Sequence, residues 1–223
     1  MKADMKALTQ VFADRTDAGR QLADRLRGGQ WTDPVVLGLA RGGVPVAAEV
    51  ARELGAPLDV AVSRKIGAPG RPEFGVGAVT AEGPPFFDQR TLHVLGLQPQ
   101  DLESTCEHER QEARRRVRRY QRGRGPVRTR GRDVLLVDDG LATGVTAIAA
   151  LRTVRQGQSR RLVFAAPVCA PDAAATLRDE ADEVICVAEP ARLGAISLWY
   201  GRFGQTSDEE VIELLQTAAK SAT

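Results

Sequence analysis

The sequence predicts an α/β fold, a parallel sheet covered by helices on both faces, and three observations carry that reading. Valine- and leucine-rich runs occur at 34–39, 58–62, 134–137, 162–167 and 183–187, each of strand length and largely apolar. Helix-period segments at 44–54, 102–121, 143–156 and 170–181 separate most of them. Such alternation suits a parallel sheet, because each crossover between parallel strands passes over a face and covers it. A chain of 223 residues, 43% of them hydrophobic, can bury one sizeable core, so a single domain over 1–223 is expected.

The first strand, Pro34–Leu39, runs into Ala40-Arg41-Gly42-Gly43 and then a helix from Val44. Arginine offers a planar fork to phosphate oxygens, and two glycines let backbone come close to an anion. The second strand ends at Arg64 and Lys65. Lys65 is the sole lysine between Lys6 and Lys220 in a chain that otherwise uses arginine, which suits a compact point charge. From 65 to 83 the chain is punctuated by Gly67, Gly70, Gly75, Gly77 and Gly83 and by Pro69 and Pro72. That density of breakers predicts a flexible loop, with room for a short hairpin at 74–79.

The next helix carries acids early, Glu103 to Glu112, and arginines from Arg114 onward. This polarity follows the helix dipole, with Glu107/Arg110 and Glu112/Arg116 at supporting spacings. It predicts a solvated or oligomer-facing helix rather than a nucleic-acid surface, and the chain is expected to form a homodimer. After Pro190 the tail has Trp199 and Tyr200, then a final helix near Ser207 with a Ser207…Glu210 capping box.

The densest chemistry lies in Val134-Leu-Leu-Val-Asp-Asp-Gly-Leu-Ala-Thr-Gly-Val-Thr146. A buried strand is followed by two carboxylates and a loop of small residues that opens a helix. In a parallel sheet such a loop sits at the C-terminal edge, where ligands bind. The backbone from Gly140 through Leu141, Ala142, Thr143, Gly144, Val145 and Thr146 can cradle a phosphate at the helix N-terminus. Asp138 and Asp139 would repel that phosphate unless a sugar or a cation stands between them. A ribose phosphate satisfies both halves, its hydroxyls on the acids and its phosphate on the loop. The lysine of a Walker A loop is missing, and Gly75-x-Gly77 lacks the third glycine of a dinucleotide fingerprint.

This segment resembles the phosphoribosyl pyrophosphate motif of type I phosphoribosyltransferases, and in particular of an uncharacterised bacterial group of that family. The resemblance implies a five-stranded parallel core with a small hood, contributed mainly by 190–215. It implies that Asp138 and Asp139 hold the ribose, with Mg²⁺ nearby through ribose or water, and that 140–146 hold the 5′-phosphate. Ala40–Gly43, with Arg64 and Lys65, would meet the pyrophosphate, and the Ala40–Arg41 peptide would be cis. The implied catalytic set is Asp138, Asp139, Arg41 and Lys65, and the partners are phosphoribosyl pyrophosphate and a small-molecule acceptor. Trp199 and Tyr200 are candidates to stack on that acceptor. Family enzymes for 6-oxopurines carry an aspartate three residues after the paired acids; here that position is Ala142.

The rest of the composition bounds the alternatives. With 31 basic and 29 acidic side chains, no net field draws the protein to nucleic acid or an anionic membrane. Two histidines leave little for a zinc site or a metal-dependent sugar-phosphate hydrolase. A non-enzymatic phosphoribosyl pyrophosphate sensor shares the fold but usually carries a nucleic-acid module, and about 30 residues before the first strand are too few for one. No signal-like run opens the chain, and no stretch reaches membrane-span length. The odd, scattered Cys106, Cys169 and Cys186 predict reduced, buried thiols, hence a cytoplasmic protein.

Overall fold

A computed structural model describes residues 11–122 and 125–221. The opening residues 1–10, Arg124 in the arginine run and the very ends of the expected span 1–223 lie outside the described residues. The chain runs α1 (Arg15–Leu26), β1 (Val35–Leu39), α2 (Gly43–Leu54), β2 (Leu58–Ala61), β3 (Ser63–Ala68), β4 (Arg71–Thr80), β5 (Phe86–Phe87), α3 (Gln89–Leu95) and α4 (Glu103–Gln121). It continues through β6 (Asp133–Val137), α5 (Val145–Gln156), β7 (Arg161–Val168), α6 (Pro171–Leu177), β8 (Glu183–Ala188) and α7 (Asp208–Ser221).

The expected sheet is present. Five strands pair in the order β2-β1-β6-β7-β8, all parallel. The central strands β1 and β6 are buried at every position, as sheets covered on both faces require. One face packs Val36, Leu135 and Val163 against α2, α4 and α7 through Val46, Val50, Tyr120 and Ile212. The other packs Leu37, Leu136 and Phe164 against α5 and α6 through Ile148, Leu151 and Leu177. From β1 the chain goes to β2 on one side, and β6 pairs on the other. The reversal of strand order therefore lies between β1 and β6, where a crevice opens at the strands' C-terminal ends.

The segment 65–83, expected as a flexible loop with room for a short hairpin at 74–79, carries a longer hairpin than that. Residues 63–80 form an antiparallel hairpin with Gly70 in the left-handed turn at φ 71°, and β5 extends it to three strands. The hairpin has its own core, in which Ile66, Val76 and Val79 pack with Leu92, Leu102 and Cys106. Gly75 and Gly77 are close-approach positions rather than breakers, while Gly70 makes the turn. A Cβ on Gly77 would come 2.3 Å from the Phe86 carbonyl oxygen, and one on Gly75 would come 2.5 Å from Lys65 Cδ.

The arginine-bearing helix α4 holds this hairpin. Arg110 Nη1 donates to the carbonyls of Gly83 at 2.7 Å and Thr80 at 3.3 Å, Arg114 Nε to Ala81 at 3.2 Å, and Arg64 Nε to Glu109 at 2.7 Å. Farther along, Glu112 pairs with Arg115 and Arg116; the hydrogen bond from Arg115 leads in holding its carboxyl down at about 2.

The cysteines also depart from expectation. Cys169 and Cys186 form a disulfide, with Cα atoms 6.2 Å apart, and Cys106 remains a buried thiol. A β-α-β crossover returns the chain to the adjacent strand, so residues 17 apart in sequence meet across β7 and β8 within bridging reach. The reduced-thiol argument for a cytoplasmic location therefore lacks support in this pair. Among the described residues no helix is long and apolar enough to cross a membrane.

Candidate active site

The loop after β6 is fixed by the sheet before it is available to any ligand. Asp138 N–H donates to the Ala165 carbonyl at 3.1 Å. Leu141 is pinned on both sides, its N–H to Val168 O at 2.8 Å and its carbonyl to Ala170 N–H at 2.7 Å. Its side chain is buried, so Leu141 anchors the expected phosphate loop rather than donating to a ligand. Beyond it, Ala142 and Thr143 are exposed, and Gly144 turns into α5 at φ 80° with no side-chain cap. An uncapped N-terminus of a 12-residue helix beside exposed small residues offers amides to an anion.

Asp138 and Asp139 stand between that loop and the one after β1. A Cβ on Gly43 would fall 2.4 Å from Val137 O and 2.8 Å from Asp138 Cα; one on Gly42 would fall 2.0 Å from Asp139 Oδ2. The two glycines therefore serve the close packing of one loop on the other, where the sequence suggested approach to an anion. The Ala40–Arg41 peptide is cis, as the resemblance implies. Burial, reinforced by the charge of Asp139, pushes the Asp138 carboxyl well above the usual range. Burial also raises Asp139, and Arg15 partly offsets it. Asp138 accepts from Asp139 N–H at 2.8 Å. Paired carboxylates with raised proton affinity are short of donors, which sugar hydroxyls or a cation supply.

The cover over Asp139 comes from both ends of the chain. Phe12 N–H donates to Trp199 O and Gly201 N–H to Phe12 O, so 12–13 pairs with 199–202. Tyr200 donates its hydroxyl to the Asp139 carbonyl at 2.6 Å, with ring centroids of Phe12 and Phe203 at 5.3 and 4.8 Å. Arg15 Nε donates to Asp139 Oδ2 at 2.8 Å, its Nη1 to Gly204 O at 2.6 Å, and its guanidinium lies 3.9 Å from the Phe203 centroid. Ile196 closes over Gly140. The expected hood, 190–215, thus divides: 193–204 joins the N-terminal segment over the acids, while Val211, Ile212 and Leu215 belong to the main core.

The structure brings together Asp138, Asp139, the 140–146 loop, Gly42 and Gly43, and leaves other expected residues apart. Arg41 Nη1 lies 3.6 Å from Asp208, which also binds Arg119 at 2.9 Å and the Tyr120 hydroxyl at 2.6 Å. Arg64 is held by Glu109, and Lys65 is exposed on β3 with its stem against Gly75. Tyr200 is buried between two rings, with no face left for an acceptor, and Trp199 is half-buried and donates to Leu193 O at 3.0 Å. Sequence reasoning missed Arg15 and Phe203. The signal for Arg15 was a capped helix: Asp14 accepts from Asp17 N–H and Asp17 from Ala13 N–H, ahead of inward-facing Ala18, Leu22 and Leu26.

With that geometry in place, the likeness to known proteins can be weighed. The sequence matches the family model of the phosphoribosyl transferase domain over residues 8–196. The chain belongs to the phosphoribosyltransferase family. A Mycobacterium tuberculosis protein assigned as a phosphoribosyl transferase is 43% identical over 209 residues, covering 94% of this chain and 47% of its own length. The chain thus spans about half the length of the Mycobacterium relative it matches. The crystal structure of TT1426 from Thermus thermophilus is 44% identical, with a TM-score of 0.78, over 92% of this chain and 98% of that one.

Proposed function

We propose that the protein transfers a phosphoribosyl group from phosphoribosyl pyrophosphate to a nitrogen of a small planar acceptor, with release of pyrophosphate. The observation that carries this reading is the packing of the Asp138–Asp139 pair between an uncapped helix N-terminus and the Gly42-Gly43 loop. Ribose hydroxyls would donate to the two carboxylates, the 5′-phosphate would take amides between Ala142 and Thr146, and the pyrophosphate would face 40–43. The C1–oxygen bond breaks with its electron pair leaving on pyrophosphate, and the acceptor's nitrogen lone pair closes the new C1–N bond. The acceptor's surplus proton passes to solvent or pyrophosphate. Fixed sugar geometry and a shielded site favour this substitution over hydrolysis. A cytoplasmic setting follows from the reading, since so highly charged a donor does not cross membranes unaided.

The residues fit Mg²⁺ brought in by the substrate. Among the described residues no group of three or more His, Cys, Asp or Glu could cage a metal. Two carboxylates beside a diphosphate suffice for an ion that keeps its waters and substrate oxygens. When bound, Mg²⁺ neutralises charge on the departing pyrophosphate.

Ala142, exposed three residues beyond Asp139, cannot exchange a proton with a purine ring nitrogen. Negligible turnover of hypoxanthine and guanine is expected. The deciding experiment measures pyrophosphate release from phosphoribosyl pyrophosphate across a panel of nitrogen bases, with Asp139→Asn alongside. Release that depends on one acceptor class, reduced about 100-fold or more in the variant, is expected. Absence of both release and sugar-phosphate binding in the wild type would overturn the proposal.

A further inference from the structure

Once Arg41 is seen on Asp208, the 40–43 loop lacks the cation the sequence assigned to it, yet another guanidinium stands beside it. Arg15 lies at the first position of α1, 124 residues from Asp139 in sequence, with its side chain only 13% exposed. A Cβ on Gly42 would come 3.3 Å from Arg15 Nε as well as 2.0 Å from Asp139 Oδ2. Arg15 therefore touches the ribose acid and the edge of the proposed pyrophosphate loop together. Its base is secured independently of Asp139, by the Gly204 carbonyl and the face of Phe203.

We infer that Arg15 is a catalytic cation of this site, exchanging Asp139 for the pyrophosphate of the bound donor; the inference rests on the reading of the site given above. A ribose hydroxyl that donates to Asp139 Oδ2 competes for the acceptor atom that Arg15 Nε now uses and weakens that pair. A secluded guanidinium that loses its carboxylate needs another anion, because an unpaired charge away from water is costly. The diphosphate, next to Gly42, is the anion within reach, and a guanidinium fork matches its oxygens. Arg15 thus has two states. In one it screens the repulsion between Asp138 and Asp139; in the other it neutralises the leaving group as the C1–oxygen bond opens. Phe203 keeps the guanidinium plane in place between them.

The test compares ligands that do and do not carry the diphosphate. Calorimetry with Mg²⁺ is run on the wild type, Arg15→Gln, Arg15→Lys and Arg41→Gln, using pyrophosphate and ribose 5-phosphate separately. The expected result is a loss of pyrophosphate affinity of about 10- to 100-fold in Arg15→Gln, with ribose 5-phosphate within about 3-fold of wild type. Arg15→Lys should recover part of that loss, while Arg41→Gln, whose side chain is drawn to Asp208, should lose less pyrophosphate affinity than Arg15→Gln. Unchanged pyrophosphate affinity in Arg15→Gln would overturn the inference. Equal loss of both ligands, or a pyrophosphate loss confined to Arg41→Gln, would also overturn it, the former making Arg15 a support for Asp139 alone. A wild type that binds neither ligand would instead remove the phosphoribosyltransferase reading itself, so the two failures remain distinguishable.

Discussion

The two regions that meet at Asp139 are built in opposite ways. The loop from Asp138 to Thr146 is one continuous segment, anchored by backbone hydrogen bonds to β7 and stretched between a buried strand and a helix. The cover over it is assembled from residues 12–15 and 193–204; backbone hydrogen bonds join 12–13 to 199–202, but side chains fix the cover on the acids, through a ring stack, an arginine over a ring and a phenol on a carbonyl. Backbone-anchored geometry tolerates side-chain change but not added volume. Geometry held by side chains should fail in small, separable steps. Substitutions can set this difference against itself.

The largest effect is expected where the two loops touch through backbone. In Gly43→Val the new Cβ would sit 2.4 Å from Val137 O, a neighbour inside the central strands that cannot yield. A loss of about 3 kcal/mol or more, or failure to fold, is expected in denaturant unfolding. Gly42→Ala meets a carboxylate instead, and a carboxylate can turn. That variant should stay folded while losing sugar-phosphate affinity as Asp139 is displaced. Equal stability of the two variants would break the distinction between backbone-held and side-chain-held parts.

A smaller loss is expected at the hairpin. Arg110→Ala removes donors to the Gly83 and Thr80 carbonyls, worth about 2 kcal/mol together. The loss should concentrate in hydrogen exchange of 63–80 and leave β1 and β6 protected. This hairpin is also the clearest case of what sequence did not reveal. Five parallel strands could be read because burial on both faces leaves continuous valine and leucine runs, and the Asp-Asp loop could be read because its parts are consecutive. Gly67, Gly75 and Gly77 read as breakers because the atoms that Gly75 and Gly77 accommodate, in Lys65 and Phe86, are defined only once strands pair. Arg15 and the Cys169–Cys186 pair escaped for the same reason. Their partners lie 124 and 17 residues away, and only the closed sheet selects them.

The acid pair should make the protein less stable than it could be, in a manner that pH exposes. Asp138 is raised above its ordinary 3.8 by burial and by Asp139. Between 3.8 and the raised value the folded state holds a proton that the unfolded state has released. Stability therefore falls as pH climbs through that window and levels off above it. Asp138→Asn cannot ionise and should escape this fall. At about pH 8 the variant is expected to exceed the wild type by about 1 kcal/mol or more, the gap closing as pH drops toward the ordinary carboxylate value, while sugar-phosphate binding is lost. A variant less stable than wild type under the same alkaline conditions would show that the Asp139 N–H and Arg15 compensate the Asp138 carboxylate more fully than its burial indicates.

The smallest effect tests whether the cover positions the acids or only shelters them. Tyr200 is 4% exposed, and burial, then the charge of Asp139, hold its phenol proton on across the working range. It therefore stays a donor to the Asp139 carbonyl under any conditions in which sugar binding would be measured. Tyr200→Phe preserves the ring between Phe12 and Phe203 and removes that one hydrogen bond, at a cost of about 1 kcal/mol and a fall in Tm of about 2–4 °C. If the bond sets the direction of the Asp139 side chain, affinity for ribose 5-phosphate should fall about 3- to 10-fold as well. Trp199→Ala serves as the contrast, because its indole bonds Leu193 within the cover rather than the acids. It should lower stability with little change in ribose 5-phosphate affinity. Matching affinities in Tyr200→Phe and the wild type would mean that β6, β7 and Arg15 orient Asp139 without the phenol, and that Tyr200 serves only to fill the cover.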